Sequence, residues 1–295
     1  MMDIPVNSSA PLGALTGLSA LAPRYTTLFC DVWGVVHNGI AAHPTACAAL
    51  VRFREAGGTV IFVTNSPRPS GPILAMLDRL GVPRGAFDAL VSSGDATRAM
   101  IGEYRGRVIH HIGPPSEDDA LYEGLGVIRG PAETAETLVV TDLDTDDDTP
   151  EMYEERIALW RARDLPMIAA NPDKFVEIGD QLIYCGGALA DLYAERGGRV
   201  RMAGKPYAPI YEEALKLATR ARGAEPARAE ILAVGDSVRT DATGAAGFGI
   251  DFLFIAGSIH AEELDAFGAL DPAGVGALVA PSGANMVGYM ARLGW

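Results

Sequence analysis

The chain has 295 residues and a mass of 31.0 kDa, enough for one large domain or for a core with an inserted second domain. With 48% hydrophobic residues, 21% charged residues and a mean hydropathy of +0.14, its composition excludes intrinsic disorder, collagen and disulfide scaffolds. The formal net charge of −14 would repel a polyanion over most of the surface, so we expect no nucleic-acid partner.

Neither the cysteines nor the N-terminal segment indicates export or membrane insertion. Cys30, Cys47 and Cys185 lack the paired spacing of a zinc or redox site, and we expect them to be buried in a reducing compartment. The apolar run 12–22 contains glycines and has no basic residue before it, so we expect no signal peptide. No stretch approaches about 20 uninterrupted apolar residues, so we expect no membrane span and a cytoplasmic location.

Short apolar runs alternate with amphipathic helical stretches from about residue 25, which is typical of a parallel sheet with crossover helices. The first half begins with predicted strands at 25–30, 58–63 and 89–92 and predicted helices at 43–56 and 70–80. The C-terminal part contains a predicted helix at 208–222 and predicted strands at 231–234 and 251–255.

The middle of the chain has an alternation of its own. Predicted strands lie at 108–112, 138–140, 167–170 and 175–178, and predicted helices lie at 116–123 and 149–163. Because core-like strands resume afterwards, we expect a small α/β domain at 102–184, inserted into a core of 1–101 and 185–295. The pair Gly186-Gly187 is expected to mark the return to the core.

Polar side chains follow two predicted strands of the N-terminal half. Asp31 comes directly after the apolar residues 28–30, and Gly34 allows the backbone to turn closely around it. A carboxylate presented in this way suits a nucleophile. Thr64 and Asn65 follow the next strand, and their side chains can donate hydrogen bonds to phosphate oxygens. Either motif alone also fits an ordinary polar turn.

The C-terminal half adds a cation and two more carboxylates. Lys205 precedes the predicted helix 208–222, and its ammonium can balance a carboxylate and a phosphate. Asp236 and Asp241 follow the next strand and offer the hard oxygen ligands that Mg²⁺ requires. Taken alone, Lys205 could equally be a solvated surface side chain, and the two aspartates could equally cap a helix. Because ligands of open α/β sheets bind at the carboxyl ends of the strands, the four motifs together predict one site.

With these motifs in this order, the chain resembles the haloacid dehalogenase superfamily, and within it the NagD-like and nitrophenylphosphatase-like hydrolases with a large inserted cap. Residues 138–166 and 171–173 resemble that cap, so the resemblance covers nearly the whole chain. The 33 positions from Asp31 to Thr64 have room for one helix, whereas the 141 positions from there to Lys205 can hold a cap. The resemblance implies an α/β fold with a Rossmann-like parallel-sheet core and an inserted α/β cap domain.

The resemblance also implies a phosphatase mechanism. Asp31 would attack phosphorus and form an aspartyl-phosphate, Thr64 and Asn65 would hold the transferring oxygens beside Gly34, and Lys205 would balance their charge. The implied substrate is a small phosphorylated metabolite, and a homodimer is compatible with the resemblance because such caps can serve as dimer surfaces.

The same resemblance implies a magnesium site. Mg²⁺ would be held by Asp31, the backbone carbonyl of Trp33 and Asp236, with Asp241 in a supporting position. Three clustered carboxylates need such a cation, since their mutual repulsion otherwise raises their pKa values. Asn171, in a cap loop, would face the substrate.

Trp33 departs from the pattern of the family. Its phosphatases carry a second Asp at this position as general acid, and an indole has no proton to exchange near neutral pH. Two alternatives therefore stay open: a phospho-ligand binding protein with little turnover, and a dehalogenase, against which the intact Asp236 and Asp241 argue. His37 and His43 could reach the cleft, although a surface or helix-cap role is favoured for both.

Overall fold

The computed structural model describes residues 13–114, 118–178 and 181–295. The strands of this part are β1 (Thr27–Cys30), β2 (Thr59–Thr64), β3 (Ala89–Ser92), β4 (Val108–Ile112), β5 (Ile128–Arg129), β6 (Thr137–Val140), β7 (Met167–Ala169), β8 (Phe175–Ile178), β9 (Gln181–Tyr184), β10 (Val200–Met202), β11 (Ile231–Gly235), β12 (Asp251–Ile255) and β13 (Met286–Met290). The helices are α1 (Pro44–Glu55), α2 (Ser70–Leu80), α3 (Ser93–Gly102), α4 (Asp119–Tyr122), α5 (Glu154–Ala162), α6 (Gly186–Glu195), α7 (Ala208–Arg222), α8 (Thr243–Phe248) and α9 (Pro272–Val279).

The first sheet is parallel, and within the described residues its strand order is β13-β12-β11-β1-β2-β3. Every residue of β1, β2 and β11 is buried. One face packs against α1 and α2, and the other packs against α7 and α8. Because these strands are covered on both faces, they appear in the sequence as continuous apolar runs, which is why they were predictable.

The second sheet is also parallel, with the order β10-β7-β6-β4-β5 among the described strands. It lies between β3 and β11 in the chain and has apolar clusters on its two faces, one of them around Trp160 and Tyr193. The antiparallel hairpin of β8 and β9 follows β7. The fold class is therefore confirmed: a parallel α/β core with an inserted α/β domain.

The segment after residue 184 differs from the prediction. Gly186 and Gly187 do not return the chain to the core, because they begin α6, which packs on β7 of the second sheet. Their missing side chains allow close approach, since a Cβ on Gly187 would lie 2.3 Å from the carbonyl oxygen of Pro172. The strand β10 then pairs with β7. We therefore propose that the inserted domain ends near Met202, beyond the expected boundary at 184.

Most predicted elements agree with the structure to within two residues at each end. The predicted helix 149–163 is divided into a 3₁₀ turn, Pro150–Tyr153, followed by α5. Of the predicted helix 116–123, residues 116 and 117 lie outside the described part, and the described remainder is the short α4. Sequence reasoning did not predict α3, α6, α9, β5, β9, β10 or β13. None of the helices in the described ranges combines the length and apolarity that a membrane crossing needs.

Candidate active site

Two aspartates lie just after the carboxyl ends of two neighbouring strands of the first sheet. Strands β1 and β11 are parallel neighbours with Cys30 opposite Val234, and the backbone N–H of Asp31 donates to the carbonyl of Val234 (2.8 Å). Asp31 therefore follows β1 at the level where Asp236 follows β11. Both side chains are buried at the carboxyl edge of the sheet, as predicted for ligand-binding positions in this fold.

Asp241 joins them through a wide π turn, Val238–Ala242, at the start of α8. Ser237 caps this turn by accepting from the backbone N–H of Thr240 (3.3 Å), and its own N–H donates to Asp241 Oδ2 (3.2 Å). Turns of this kind are rare and recur at functional sites. Ligand atoms of Asp31, Asp236 and Asp241 all lie within 4.8 Å of one another.

Lys205 is buried in the middle of this carboxylate cluster. Its Nζ donates to Asp31 Oδ1 in a short contact and to Asp241 Oδ1 at 2.8 Å. Burial disfavours the charged ammonium, but Asp241 and Asp31 outweigh this effect and raise the pKa of Lys205 well above its usual value. The lysine is therefore protonated and holds the ends of β1 and the π turn together.

Asn65 fixes the backbone around that lysine. Its Oδ1 accepts from the N–H of Lys205 (2.7 Å), and its Nδ2 donates to the Lys205 carbonyl (3.1 Å). The same Nδ2 also donates to Asp173 Oδ1 (2.9 Å). Thr64 lies buried beside it, and its Oγ1 accepts from the N–H of Ser66 (3.2 Å). Asn65 thus positions Lys205, and its predicted direct contact with phosphate stays a prediction.

The ammonium of Lys205 does not neutralise all the carboxylates of the cluster. With all three carboxylates ionised, the single ammonium would leave an excess of two negative charges. Burial, followed by repulsion from Asp241, raises the pKa of Asp236 to about 7, although the Ser258 hydroxyl stabilises its anion. Burial also raises the pKa of Asp31; Lys205 opposes this rise, while Asp241 and Asp236 add to it. A divalent cation would neutralise the excess, so this set of hard oxygen donors fits such an ion.

The absence of a side chain at Gly34 leaves room for the Asp236 carboxylate. Its φ is +82°, in the left-handed region, and a Cβ placed there would lie 2.1 Å from Asp236 Oδ2 and 2.4 Å from Ser258 Oγ. Glycine is therefore required for two reasons, backbone conformation and close approach. Gly34 lines a second, adjoining cavity rather than the one above Asp31, so its predicted contact with substrate remains a prediction.

A loop of the inserted domain contacts the core at this site. Asn171, the residue predicted to face substrate, is buried, and its Oδ1 accepts from the N–H of Asp173 (3.1 Å). Asp173 rather than Asn171 lines the cavity. Arg239 of the core donates to the Pro172 carbonyl (2.8 Å) and pairs with Asp191 of α6 (2.9 Å). The inserted domain is therefore held against the residues that surround the carboxylates.

Trp33 lies on the partition between the two cavities and lines both. Its indole packs on Gly39, where a Cβ would lie 2.7 Å from the ring, and meets His37 edge to face with 4.9 Å between the ring centroids. His37 is buried rather than at the surface, and its Nδ1 accepts from the N–H of Gly39 (2.9 Å). His43 is the N-cap residue of α1, but its side chain makes no capping hydrogen bond, and it lines the second cavity.

The cavity above the cluster has a volume of about 520 Å³. Besides predicted site residues, it is lined by side chains that sequence reasoning missed, among them Phe175, Leu182, Ile259 and His260. The first two belong to the hairpin of β8 and β9, and the other two lie in the loop after β12, which the sequence analysis did not single out. The position of Ile259 and His260 after the carboxyl end of a predicted core strand was a signal that could have placed them near the site. Phe175 and Leu182 reach the cavity only through the folded position of the hairpin, so no local signal could have identified them.

Two family models match the chain. A haloacid dehalogenase-like hydrolase model matches residues 28–127, and a HAD-hydrolase-like model matches residues 202–280. The matched segments contain Asp31, Thr64 and Asn65 in the first and Lys205, Asp236 and Asp241 in the second. No curated protein matches the chain.

Solved structures extend this similarity over almost the full length. A haloacid dehalogenase-like hydrolase from Brucella suis 1330 is 45% identical, with a TM-score of 0.84 and coverage of 94% of this chain and 98% of that one. A possible sugar phosphatase from Cytophaga hutchinsonii is 21% identical, with a TM-score of 0.75 and coverage of 94% and 97%. The magnesium complex of a glycerol phosphate phosphatase from Mycobacterium tuberculosis is 24% identical, with a TM-score of 0.61 and coverage of 85% and 74%. The chain belongs to the haloacid dehalogenase-like hydrolases, which confirms the resemblance found in the sequence.

Replacing Gly34 tests how tightly the loop is packed on Asp236. We expect Gly34→Ala to lower the free energy of unfolding by about 2 to 4 kcal/mol. The new Cβ would strain the left-handed backbone conformation and would clash with the carboxylate of Asp236. Gly81→Ala is the matched control, because its φ is +84° and a Cβ added there would have no neighbouring atom within 4 Å. The control should lose about 1 kcal/mol in the same denaturant titration. Equal losses in the two variants would contradict the close approach to Asp236.

The buried imidazole of His37 makes stability depend on pH. Burial, with a smaller effect of His43, lowers the pKa of His37 to about 4. The ordinary pKa of a histidine in the unfolded chain is about 6.5. Between about pH 6.5 and pH 4 the unfolded chain therefore binds a proton at His37 that the folded chain does not bind. The free energy of unfolding consequently decreases as the pH falls through this range. We expect the loss between pH 7 and pH 5 to be about 2 kcal/mol larger in the wild type than in His37→Gln. Denaturant titrations at both pH values measure it, and parallel losses would show that His37 is not the group responsible.

Proposed function

We propose that this haloacid dehalogenase-like hydrolase is a Mg²⁺-dependent phosphatase that hydrolyses a small phosphorylated metabolite through an aspartyl-phosphate on Asp31. The observation that carries this proposal is the buried contact of Lys205 with both Asp31 and Asp241 at the carboxyl edge of the parallel sheet. Together with a divalent cation at the carboxylates, this ammonium would supply the positive charge that an anion approaching the same point needs. A phosphate group is such an anion.

In the proposed reaction, Asp31 acts as the nucleophile. One of its oxygens forms a bond to phosphorus while the ester P–O bond breaks, and the leaving oxygen departs with the bonding electrons. Lys205 Nζ, already a donor to Asp31, stabilises the charge of the transferred group. Water then cleaves the aspartyl-phosphate, which regenerates the carboxylate and releases inorganic phosphate. Thr64, buried next to this edge, is the proposed hydroxyl donor to the phosphoryl oxygens.

The proposed metal site consists of Asp31, Asp236 and the backbone carbonyl of Trp33, with Asp241 in support. The excess of negative charge in this cluster and the raised pKa of Asp236 favour binding of a cation there. When bound, Mg²⁺ would supply positive charge close to the transferring phosphoryl group. The chain itself supplies the positions of these ligands, because Gly34 leaves room for Asp236 and the N–H of Ser237 orients Asp241.

The names of the structural relatives support the choice of substrate class. One is described as a possible sugar phosphatase and another as a glycerol phosphate phosphatase in complex with magnesium, and both have the same fold. The three cysteines are buried and free of disulfides, which supports the proposed cytoplasmic location. A phospho-ligand binding protein with little turnover is the second candidate, and Trp33 at the general-acid position is the observation that favours it.

Chemical trapping separates the two candidates. We expect a protein that turns over acetyl phosphate with Mg²⁺ to carry a phosphoryl group on Asp31, which borohydride reduces to homoserine at that position. Peptide mass spectrometry after acid quenching locates the change. Asp31→Asn and a wild-type sample with chelator are the controls and should show no reduced residue 31. Binding of a phosphate ester without any trapped residue would favour the binding protein.

The indole at position 33 predicts that the rate of hydrolysis depends strongly on the pKa of the leaving group. Since Trp33 donates no proton to the departing oxygen, we expect log(kcat/KM) to fall steeply as the pKa of the leaving alcohol rises across a series of phosphate esters. General acids contribute roughly 10²- to 10⁴-fold, so Trp33→Asp should accelerate alkyl phosphates by at most that factor and flatten the series.

Trp33→Asn is the matched control for this substitution. It removes the same indole and opens the same space beside Gly39 and His37, but it provides no carboxyl proton. Acceleration by both variants would assign the effect to the opened space. A flat dependence in the wild type would show that another residue already protonates the leaving group.

A further inference from the structure

The second cavity, which adjoins the one above the carboxylates, has a volume of about 600 Å³. It lies at the same carboxyl edge of the first sheet, because its walls are the loops that follow β1, β12 and β13, together with the first residues of β9. Ligands of open α/β sheets bind at this edge. The proposed phosphatase reaction takes place in the first cavity and gives the second one no role.

Arg292, just after β13, brings a positive charge to the second cavity. Its guanidinium lies over the ring of Phe267, 4.9 Å from the ring centroid, and one of its N–H groups donates to His43 Nδ1 at 3.3 Å. Gly257 allows this packing, since a Cβ there would lie 2.3 Å from the carbonyl oxygen of Ala291 and 2.8 Å from the Phe267 ring. The guanidinium is therefore held by an aromatic ring and by an imidazole.

Neither of these contacts neutralises Arg292. The phenyl ring is uncharged, and burial, together with the nearby guanidinium, lowers the pKa of His43, so the imidazole is a neutral acceptor. Within the described ranges no carboxylate lies at salt-bridge distance from Arg292, whereas Arg239 beside the first cavity pairs with Asp191. A positioned guanidinium without an anionic partner is suited to bind the anion of a ligand.

The other groups of the second cavity limit the charge of that ligand. Glu262 also lines it, and its carboxylate would repel a dianion more strongly than a monoanion. The net charge of −14 on the chain acts in the same direction. Asn38 and Gln181 add uncharged amides. A carboxylate, which carries one charge and two oxygens that match the guanidinium fork, is therefore favoured over a phosphate dianion.

The second cavity also has apolar surface. Leu182, Ile259 and Phe267 line it, and all three are among the exposed large apolar side chains of the described residues. Phe267 is 61% exposed even though the guanidinium lies over its ring. Single exposed hydrophobic residues are normal, whereas a group of them around a concave site marks a binding surface. The favoured ligand therefore has an apolar body next to its carboxylate.

We propose that the second cavity binds a monocarboxylic acid with an apolar body, with the carboxylate on Arg292 and the apolar part against Phe267 and Ile259. The acid is a molecule separate from the phosphorylated substrate, because the indole of Trp33 lies between the two cavities. No bond forms or breaks at this site, so the assignment does not depend on the proposed phosphatase reaction.

Three small probes test the charge and the apolar body of the ligand separately. Hexanoate, hexanamide and acetate are titrated calorimetrically into the full-length protein with Mg²⁺. Hexanoate should bind at least about tenfold more tightly than hexanamide, because only hexanoate accepts charge-assisted hydrogen bonds from the guanidinium. It should also bind at least about tenfold more tightly than acetate, which lacks the methylene groups that cover apolar surface. Equal binding in either comparison would overturn the proposal.

Substitutions of Arg292 locate the binding site. Arg292→Gln should abolish the preference for hexanoate over hexanamide. Arg292→Lys should reduce the preference about threefold, because an ammonium keeps the charge but lacks the planar fork. Arg220→Gln is the matched control, since Arg220 is exposed on α7 and lines neither cavity, and it should keep the full preference. A full preference in both Arg292 variants would overturn the proposal.

Inorganic phosphate distinguishes the second cavity from the one above Asp31. An excess of phosphate with Mg²⁺ should leave the Kd of hexanoate unchanged, since the two anions would lie on opposite sides of Trp33. Competition would mean that one site takes both anions, and it would overturn the proposal of a separate carboxylate site. If hexanoate binds through Arg292 but no phosphate ester is hydrolysed, the second site stands and the phosphatase function fails.

Discussion

The buried ammonium of Lys205 is the interaction on which the rest of the site depends. It is almost fully shielded from water, and so are Asp31 and Asp241, the two carboxylates that it contacts. Removal of one partner from such a pair leaves an uncompensated buried charge, which is far more costly than the pair itself. The three residues come from the end of β1, the turn before α8 and the segment between β10 and α7. One charge-paired contact therefore fixes the relative positions of the core strands and of the point where the inserted sequence rejoins them.

Asn65 extends this constraint to the inserted domain. Its side-chain amide holds the backbone of Lys205 on both sides and also contacts Asp173, in the loop that enters the hairpin. The position of the hairpin and the position of the ammonium are thus linked through one side chain. A displacement of the Asp173 loop from the core must break or stretch the Asn65–Asp173 hydrogen bond. The hairpin residues that line the cavity and the carboxylate cluster are consequently parts of one arrangement rather than two independent surfaces.

The sequence predicts the parts of this arrangement that depend on local pattern. Strands buried on both faces leave continuous apolar runs, and for α2, β3, α7 and β12 the predicted and observed bounds are identical. The pattern fails at β10, where exposed Arg201 interrupts a strand of three residues, and at Gly186, whose helix begins with small residues that resemble a turn. The motifs predict the acidic cluster because each follows a recognisable strand. The joint lining of the cavity by Leu182 of β9 and Ile259 of the loop after β12 could not be predicted, since these segments are far apart in the chain.

Trp33 connects the chemistry of the site with its shape. The loop after Asp31 folds back so that the indole lies on Gly39 and against the buried ring of His37, whose pKa is lowered by burial. A carboxyl group here would have brought a proton donor, but it would also have placed a charge between two cavities that share Leu182 and Ile259 as lining residues. The indole instead places apolar surface between the cavity above Asp31 and the adjoining one. In the proposed phosphatase, Trp33 would therefore affect both which leaving groups fit beside Asp31 and how readily they depart without a proton.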